Sequence, residues 1–243
     1  MLILTRLKSR RNRTKLQNSG LYPTLKQKYK PGRFNTMRKS ISNDELAELP
    51  LSSFEGVIHV IEQPEELDKA LNYLNKQSII GFDTETRPAF KKGQVFPVSL
   101  LQLATSDQAF LFRINKIGLP SGIIKILASP KILKIGVAIR DDIKILQRIV
   151  PFKPAGFIEL QDLVKDYGIE NFSLKKLSAI ILGFRISKSQ RLTNWDADEL
   201  TEQQLIYGAT DAWVSCDIYK QLLITPVEEA LCEPEAAESG QED

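Results

Sequence analysis

Two carboxylates stand two residues apart at the end of an apolar run, Ile79-Ile80-Gly81-Phe82-Asp83-Thr84-Glu85. In an extended strand that spacing sends both side chains to the same face. Like charges so placed repel each other unless a cation lies between them, although an isolated D-x-E pair also occurs on solvated turns. A second pair, Tyr207 and Asp211, is four residues apart in a segment rich in Leu, Ile and Ala. That separation puts a phenol and a carboxylate on one side of a helix, about one turn apart. An Asp in so apolar a helix needs a partner, and no basic residue follows it until Lys220. The third feature is Gly136-Val137-Ala138-Ile139-Arg140-Asp141-Asp142, an apolar run leading into paired acids. Acids at a helix start are also favoured by the helix dipole alone. Brought together, carboxylates from these three places make an oxygen-only site suited to Mg²⁺ or Mn²⁺. Other metal chemistry has little to work with: His59 is the sole histidine, and Cys216 and Cys232 are the only cysteines. They give neither a Cys/His zinc cluster nor a disulfide framework. No glycine-rich phosphate loop is present, which argues against nucleotide-triphosphate chemistry.

Positioning these groups requires a particular run of elements. Val57 to Ile61, Ile79 to Asp83, Val98 to Ala104, Ala109 to Phe112, Leu133 to Val137 and Phe157 to Leu160 read as strands. Pro64 to Lys76, Ser121 to Ala128 and a segment from about Asp142 to Val150 read as helices. Beyond Leu160 the pattern is helical throughout: Leu163 to Tyr167, Leu174 to Leu182 closed by Gly183, and a long final helix from about Thr201 to Leu223. Thr201 and Gln204 have the spacing of a capping box at its start. Strands alternating with helices, then helices alone, predict an α/β domain with a mixed sheet flanked by helices and a helical C-terminal portion.

Asp83-x-Glu85, Asp142 and Tyr207-x-x-x-Asp211, in this order, resemble the DEDDy class of 3′–5′ exonucleases, which have an RNase H-like fold. The likeness runs over roughly 57 to 223. It includes Ser99-Leu100-Leu101-Gln102-Leu103, Lys134-Ile135-Gly136-Val137, Ser173-Leu174, Thr193-Asn194-Trp195 and Leu200-Thr201-Glu202-x-Gln204. Among the family's members, the exonuclease domain of the Werner syndrome protein is the nearer likeness and ribonuclease D the more distant. The resemblance implies a phosphodiester hydrolase that releases nucleoside 5′-monophosphates from nucleic-acid 3′ ends with two Mg²⁺ or Mn²⁺ ions. It implies that Asp83, Glu85, Asp142 and Asp211 hold the ions and that Tyr207 orients the attacking water. Asp142 is preferred to Asp141 because Ile145 and Leu146 fall where the family's helix packs. Lys188, Arg191 and Trp195 are the expected substrate contacts. Thr86 replaces an aromatic found in the Werner domain, leaving base stacking to Phe90, Phe96 or Trp195. DNA is expected ahead of RNA because no accessory helical domain follows Leu223. An RNA-trimming enzyme like ribonuclease D and a catalytically silent nucleic-acid-binding module are the alternatives.

Charge is unevenly spread along the 243 residues, and the net +3 conceals it. Residues 1–43 carry twelve Lys/Arg and no acid, whereas 224–243 carry seven Asp/Glu and no base. The expected organisation is a basic disordered arm over 1–43, an exonuclease domain over 44–223 and an acidic disordered tail over 224–243. Met37, the second of two methionines, is a candidate true start. An Arg-rich organelle transit segment is a lesser reading of the arm. With no apolar run near the roughly 18 residues that span a bilayer, a soluble, cytoplasmic protein without membrane contact is expected.

Overall fold

A computed structural model of the chain describes residues 38–91, 93–225 and 227. Most of the basic arm, Met37 and nearly all of the acidic tail lie outside the described residues. In the described part of the arm, Ile41 is buried, and Ser42 caps helix α1 (Asn43–Glu48) in a reciprocal capping box with Glu45. The folded chain therefore begins before residue 44. Composition masks the Ser-x-x-Glu signal because it follows directly on the basic run.

Six strands form one mixed sheet: β1 (Val57–Ile61), β2 (Ile79–Thr86), β3 (Val98–Ala104), β4 (Gln108–Arg113), β5 (Leu133–Gly136) and β6 (Phe157–Glu159). Their spatial order is β1-β4-β3-β2-β5-β6. β3 runs antiparallel to both neighbours, and the remaining pairings are parallel. Around the sheet lie α2 (Leu67–Leu74), α3 (Ile114–Ile117), α4 (Ser121–Leu127), α5 (Ile139–Ile149), α6 (Leu160–Leu163), α7 (Leu174–Leu182) and α8 (Glu202–Ile224).

Strand alternation divides the core between the two faces. Ile80 and Phe82 of β2 join Leu101, Leu103 and Phe112 under Leu74, Ile123, Ile126 and Leu146 from α2, α4 and α5. On the opposite face Ile79 and Ile135 meet α6, α7 and α8 through Leu160, Leu177, Val214 and Ile218. α8 is buried over most of its length because it lies between the sheet and α7. Its start is the expected capping box, in which the Thr201 side chain accepts from Gln204 N–H while Gln204 reaches back to Thr201 N–H.

Three boundaries differ from expectation for identifiable reasons. β2 continues past Asp83 to Thr86 because β3 pairs with it as far as Val98, with a register irregularity between Glu85 and Thr86. The 64–76 segment opens with a 3₁₀ turn at Pro64–Glu66 before α2 begins. α5 starts at Ile139, a turn before Asp142, because Glu159, distant in sequence, accepts hydrogen bonds from the N–H groups of Ala138 and Ile139 at 2.9 Å each. None of the described helices is long and apolar enough to cross a membrane.

Candidate active site

Asp83 and Glu85 lie on the face of β2 that α8 covers. Gly81 lies on that face two residues earlier, where a Cβ would run into the Ala212 carbonyl oxygen. Only glycine lets α8 come this close. The close approach brings Asp211, the residue before Ala212, against β2. One oxygen each from Asp83, Glu85 and Asp211 can be chosen so that all lie within 4.8 Å of one another.

Asp142 arrives from the other side of the sheet. Ala138 takes the left-handed conformation at φ 58°, rare for a residue with a Cβ, and turns the chain from β5 into α5. One turn into α5, the Asp142 carboxylate accepts a 2.6 Å hydrogen bond from Thr84 Oγ1. Thr84 is the residue between the two β2 acids, so its side chain faces α5 by strand alternation. The two candidate acids of α5 thereby part company: Asp141 is exposed and pairs with Lys144 at 2.8 Å, while Asp142 faces the cluster.

Electrostatics agrees with the geometry. Burial, and then the charges of Asp211 and Asp142, push Asp83 well above the usual carboxylate range. Burial and Asp83 push Glu85 up to about 9. Burial raises Asp142 and Asp211 as well, while Lys188 pulls Asp211 back. The Tyr207 phenol is raised by burial, Asp211 and Glu85, so it is protonated at neutral pH. Asp211 Oδ1 is buried and has no hydrogen-bond partner. Crowded, partly protonated carboxylates with a spare buried oxygen suit a hard divalent cation.

The partner that Asp211 needs comes from upstream. Lys188 Nζ donates to Asp211 Oδ2 at 2.8 Å and lies 5.3 Å from the centre of the Tyr207 ring. Lys188 sits in a connecting segment held from below. Trp195 is fully buried with Leu100, Leu111 and Tyr207, Gln204 Nε2 donates to Thr193 Oγ1 and the Asn194 carbonyl, and the buried Arg113 guanidinium donates to the Ala197 and Asp198 carbonyls. Trp195 is thus corrected from substrate contact to anchor, since no surface is left to stack on a base. Arg191 is exposed on the same segment. Of the other stacking candidates, Phe96 is covered by Arg87 at 5.2 Å, and Phe90 is 82% exposed.

Thr84, Gln102, Arg113 and Glu159 are structural participants that motif spacing does not flag. Thr84 lies within the β2 run singled out in sequence, and Gln102 within the β3 run. Gln102 sits opposite Asp83 in the β2–β3 register, with its amide buried and without a partner.

Carboxylates gathered at the end of an interior strand of a mixed sheet, beside a long helix bearing a Tyr and an Asp one turn apart, define an RNase H-like exonuclease domain. The chain belongs to the 3′-5′ exonuclease family, whose model matches residues 58–224. It is 35% identical over 155 residues to the mouse bifunctional 3′-5′ exonuclease/ATP-dependent helicase WRN, covering 61% of this chain and 11% of the relative. To human exonuclease 3′-5′ domain-containing protein 2 it is 34% identical over 160 residues, covering 61% of this chain and 25% of the relative. The matches span about a tenth to a quarter of these relatives' length. Among solved structures, the *Aedes aegypti* Nibbler EXO domain superposes with a TM-score of 0.63 at 26% identity, over 70% of this chain and 90% of that one. Ribonuclease D of *Escherichia coli* shares the fold, with a TM-score of 0.61 at 23% identity over 69% of this chain and 44% of that one.

Proposed function

We propose that this chain is a metal-dependent 3′–5′ exonuclease that hydrolyses the terminal phosphodiester of a nucleic acid, using Asp83, Glu85, Asp142 and Asp211 to hold Mg²⁺ or Mn²⁺. The observation that carries the reading is the convergence of the Asp83, Glu85 and Asp211 carboxylates, with one buried Asp211 oxygen left without a partner and Asp142 tethered nearby through Thr84. Bound divalent ions would activate water and stabilise charge on the phosphoryl and leaving oxygens. The chain's own groups do the positioning. Tyr207, protonated at neutral pH, donates from its phenol and orients the attacking water instead of removing its proton. Lys188 and Arg191 are the phosphate contacts, and exposed Phe90 is the available stacking surface. Of the two nucleic acids, DNA is the substrate we expect first, with RNA the alternative.

The test is digestion of 3′-recessed duplex DNA, single-stranded DNA and RNA with Mg²⁺, with Mn²⁺ and with EDTA. Release of nucleoside 5′-monophosphates from the 3′ end is expected only with metal, and fastest on DNA. Asp83→Ala and Asp211→Ala abolish it, and Tyr207→Phe leaves activity reduced by about 10²- to 10⁴-fold. Wild-type rates from Asp83→Ala would overturn the assignment. Faster RNA trimming would make the chain a ribonuclease. Binding without hydrolysis under any metal would leave a silent nucleic-acid-binding module.

A further inference from the structure

Lys188 touches two members of the site at once. Its ammonium donates to Oδ2 of Asp211 at 2.8 Å and lies 5.3 Å from the centre of the Tyr207 ring. Asp211 and Tyr207 are one turn apart on α8, so a single side chain grips the carboxylate and the aromatic ring of the motif from the same side. The contacts divide the two oxygens of Asp211: Oδ2 is engaged by Lys188, while Oδ1 is buried and has no partner, on a carboxylate grouped with those of Asp83 and Glu85. Asp211 itself is 2% exposed, so water cannot take over the fixing of its rotamer.

We infer that Lys188 is a positioning residue that locks Asp211 and Tyr207 so that one Asp211 oxygen is presented to the divalent cation, and that it does so before any phosphate is bound. The inference rests on the reading of the carboxylate cluster as a metal site and adds a role that phosphate contact alone would not need. An ammonium has three donors, so engaging Asp211 leaves others for a phosphate oxygen. Hydrogen bonds that orient a ligand carboxylate are worth a large share of metal affinity even though the group making them never touches the ion. Lys188 also reaches beyond its partner. Its charge offsets the repulsion felt by Asp83 and Glu85 as well as Asp211. The anchored segment gives it a fixed base, through buried Trp195 and the hydrogen bonds from Gln204 and Arg113.

The opposite possibility is specific. An ammonium at a carboxylate can compete with a metal ion for that carboxylate, in which case removing it would tighten metal binding. Calorimetric titration of the full chain with Mn²⁺, without nucleic acid, separates the two. Lys188→Met is expected to weaken Mn²⁺ binding by about 10- to 100-fold. Lys188→Arg, which keeps a donor and the charge, recovers part of the loss. Unchanged or tighter Mn²⁺ binding by Lys188→Met would overturn the inference. If Lys188→Met does not fold, the wild-type chain answers through amine acylation read by mass spectrometry. Labelling of Lys188 is expected to be unchanged by Mn²⁺, and labelling that rises on adding Mn²⁺ would show displacement and sink the proposal. Wild-type chain that neither binds Mn²⁺ nor cleaves nucleic acid would defeat the metal-site reading itself. Wild-type binding and cleavage with unchanged Lys188→Met affinity would defeat only the role given to Lys188.

Discussion

At the scale of single residues, the site depends on groups that carry no charge. Thr84 stands between two acids in sequence yet serves a third, because strand alternation sends its hydroxyl through to α5. Deleting that hydroxyl while keeping the side chain's shape isolates its role. Thr84→Val is expected to lower kcat/KM by about 10- to 100-fold, since an outer hydrogen bond to the carboxylate proposed to hold metal, Asp142, is lost. Thr84→Ser retains the donor and most of the activity. Rates on a 3′-labelled oligonucleotide, compared at matched folded fraction by circular dichroism, check this, and equal rates for the Val and Ser variants would remove Thr84 from the site. The same hydroxyl explains why adjacent acids differ. Asp141, without such a tether, turns to solvent and its pairing with Lys144 keeps its carboxyl below the ordinary range.

At the scale of elements, the governing contact is α8 against β2, and Gly81 is its hinge point. Adding one methyl there collides with backbone at Ala212, which cannot rotate away as a side chain would. Gly81→Ala is expected to destabilise the fold by about 1 to 3 kcal/mol or more, as overpacking against a rigid neighbour does. It should also depress activity in the fraction that remains folded, because Asp211 moves with α8. Urea unfolding alongside single-turnover rates tests both parts, and a variant with full stability and activity would show that the helix can be repositioned freely.

This contact also marks what could be read from the sequence. The i, i+2 acids, the Tyr207–Asp211 turn and the Thr201–Gln204 cap are local patterns, and each forms as its spacing predicts. The six strands were likewise evident from apolar runs and turn residues. What escaped depends on residues far apart in the chain: Glu159 capping α5, Lys188 pairing with Asp211 across 23 positions, and Arg113 holding the carbonyls near Trp195. Trp195 itself shows the ambiguity of a motif aromatic, because the same residue type serves a stacking platform or a buried anchor, and only packing distinguishes them.

At the scale of the whole molecule, the proposed catalytic cluster also bears on the energetics of folding. α8 is the main buried helix and carries Tyr207 and Asp211, so charge repulsion within the site acts directly on the stability of the fold. The direction follows from the shifts. Glu85 is raised from 4.5 to about 9, and Asp83, Asp142 and Asp211 are raised too, so the folded chain holds protons that the unfolded chain has already released. A carboxyl raised on folding contributes stability that is fully present below its unfolded pKa and is lost as pH rises through the folded value. Without metal, the four acids should therefore make stability fall between about pH 4.5 and 9, where ordinary salt-bridged acids, already ionised in both states, would leave it level; buried Lys134, lowered to about 7, opposes the fall above pH 7. A divalent cation held by the proposed site would reverse the balance, because it would bind the deprotonated carboxylates of the folded state and add its binding energy to folding. In EDTA the melting temperature should thus decline from pH 5 to pH 9. With Mg²⁺ that decline should flatten, so the increment due to Mg²⁺ is larger at pH 8 than at pH 5. Glu85→Gln, which cannot ionise, should show a shallower decline in EDTA and a smaller Mg²⁺ increment. A melting temperature in EDTA that rises across this range, or a Mg²⁺ increment independent of pH, would mean that the four acids are not crowded by burial and by one another as their placement requires.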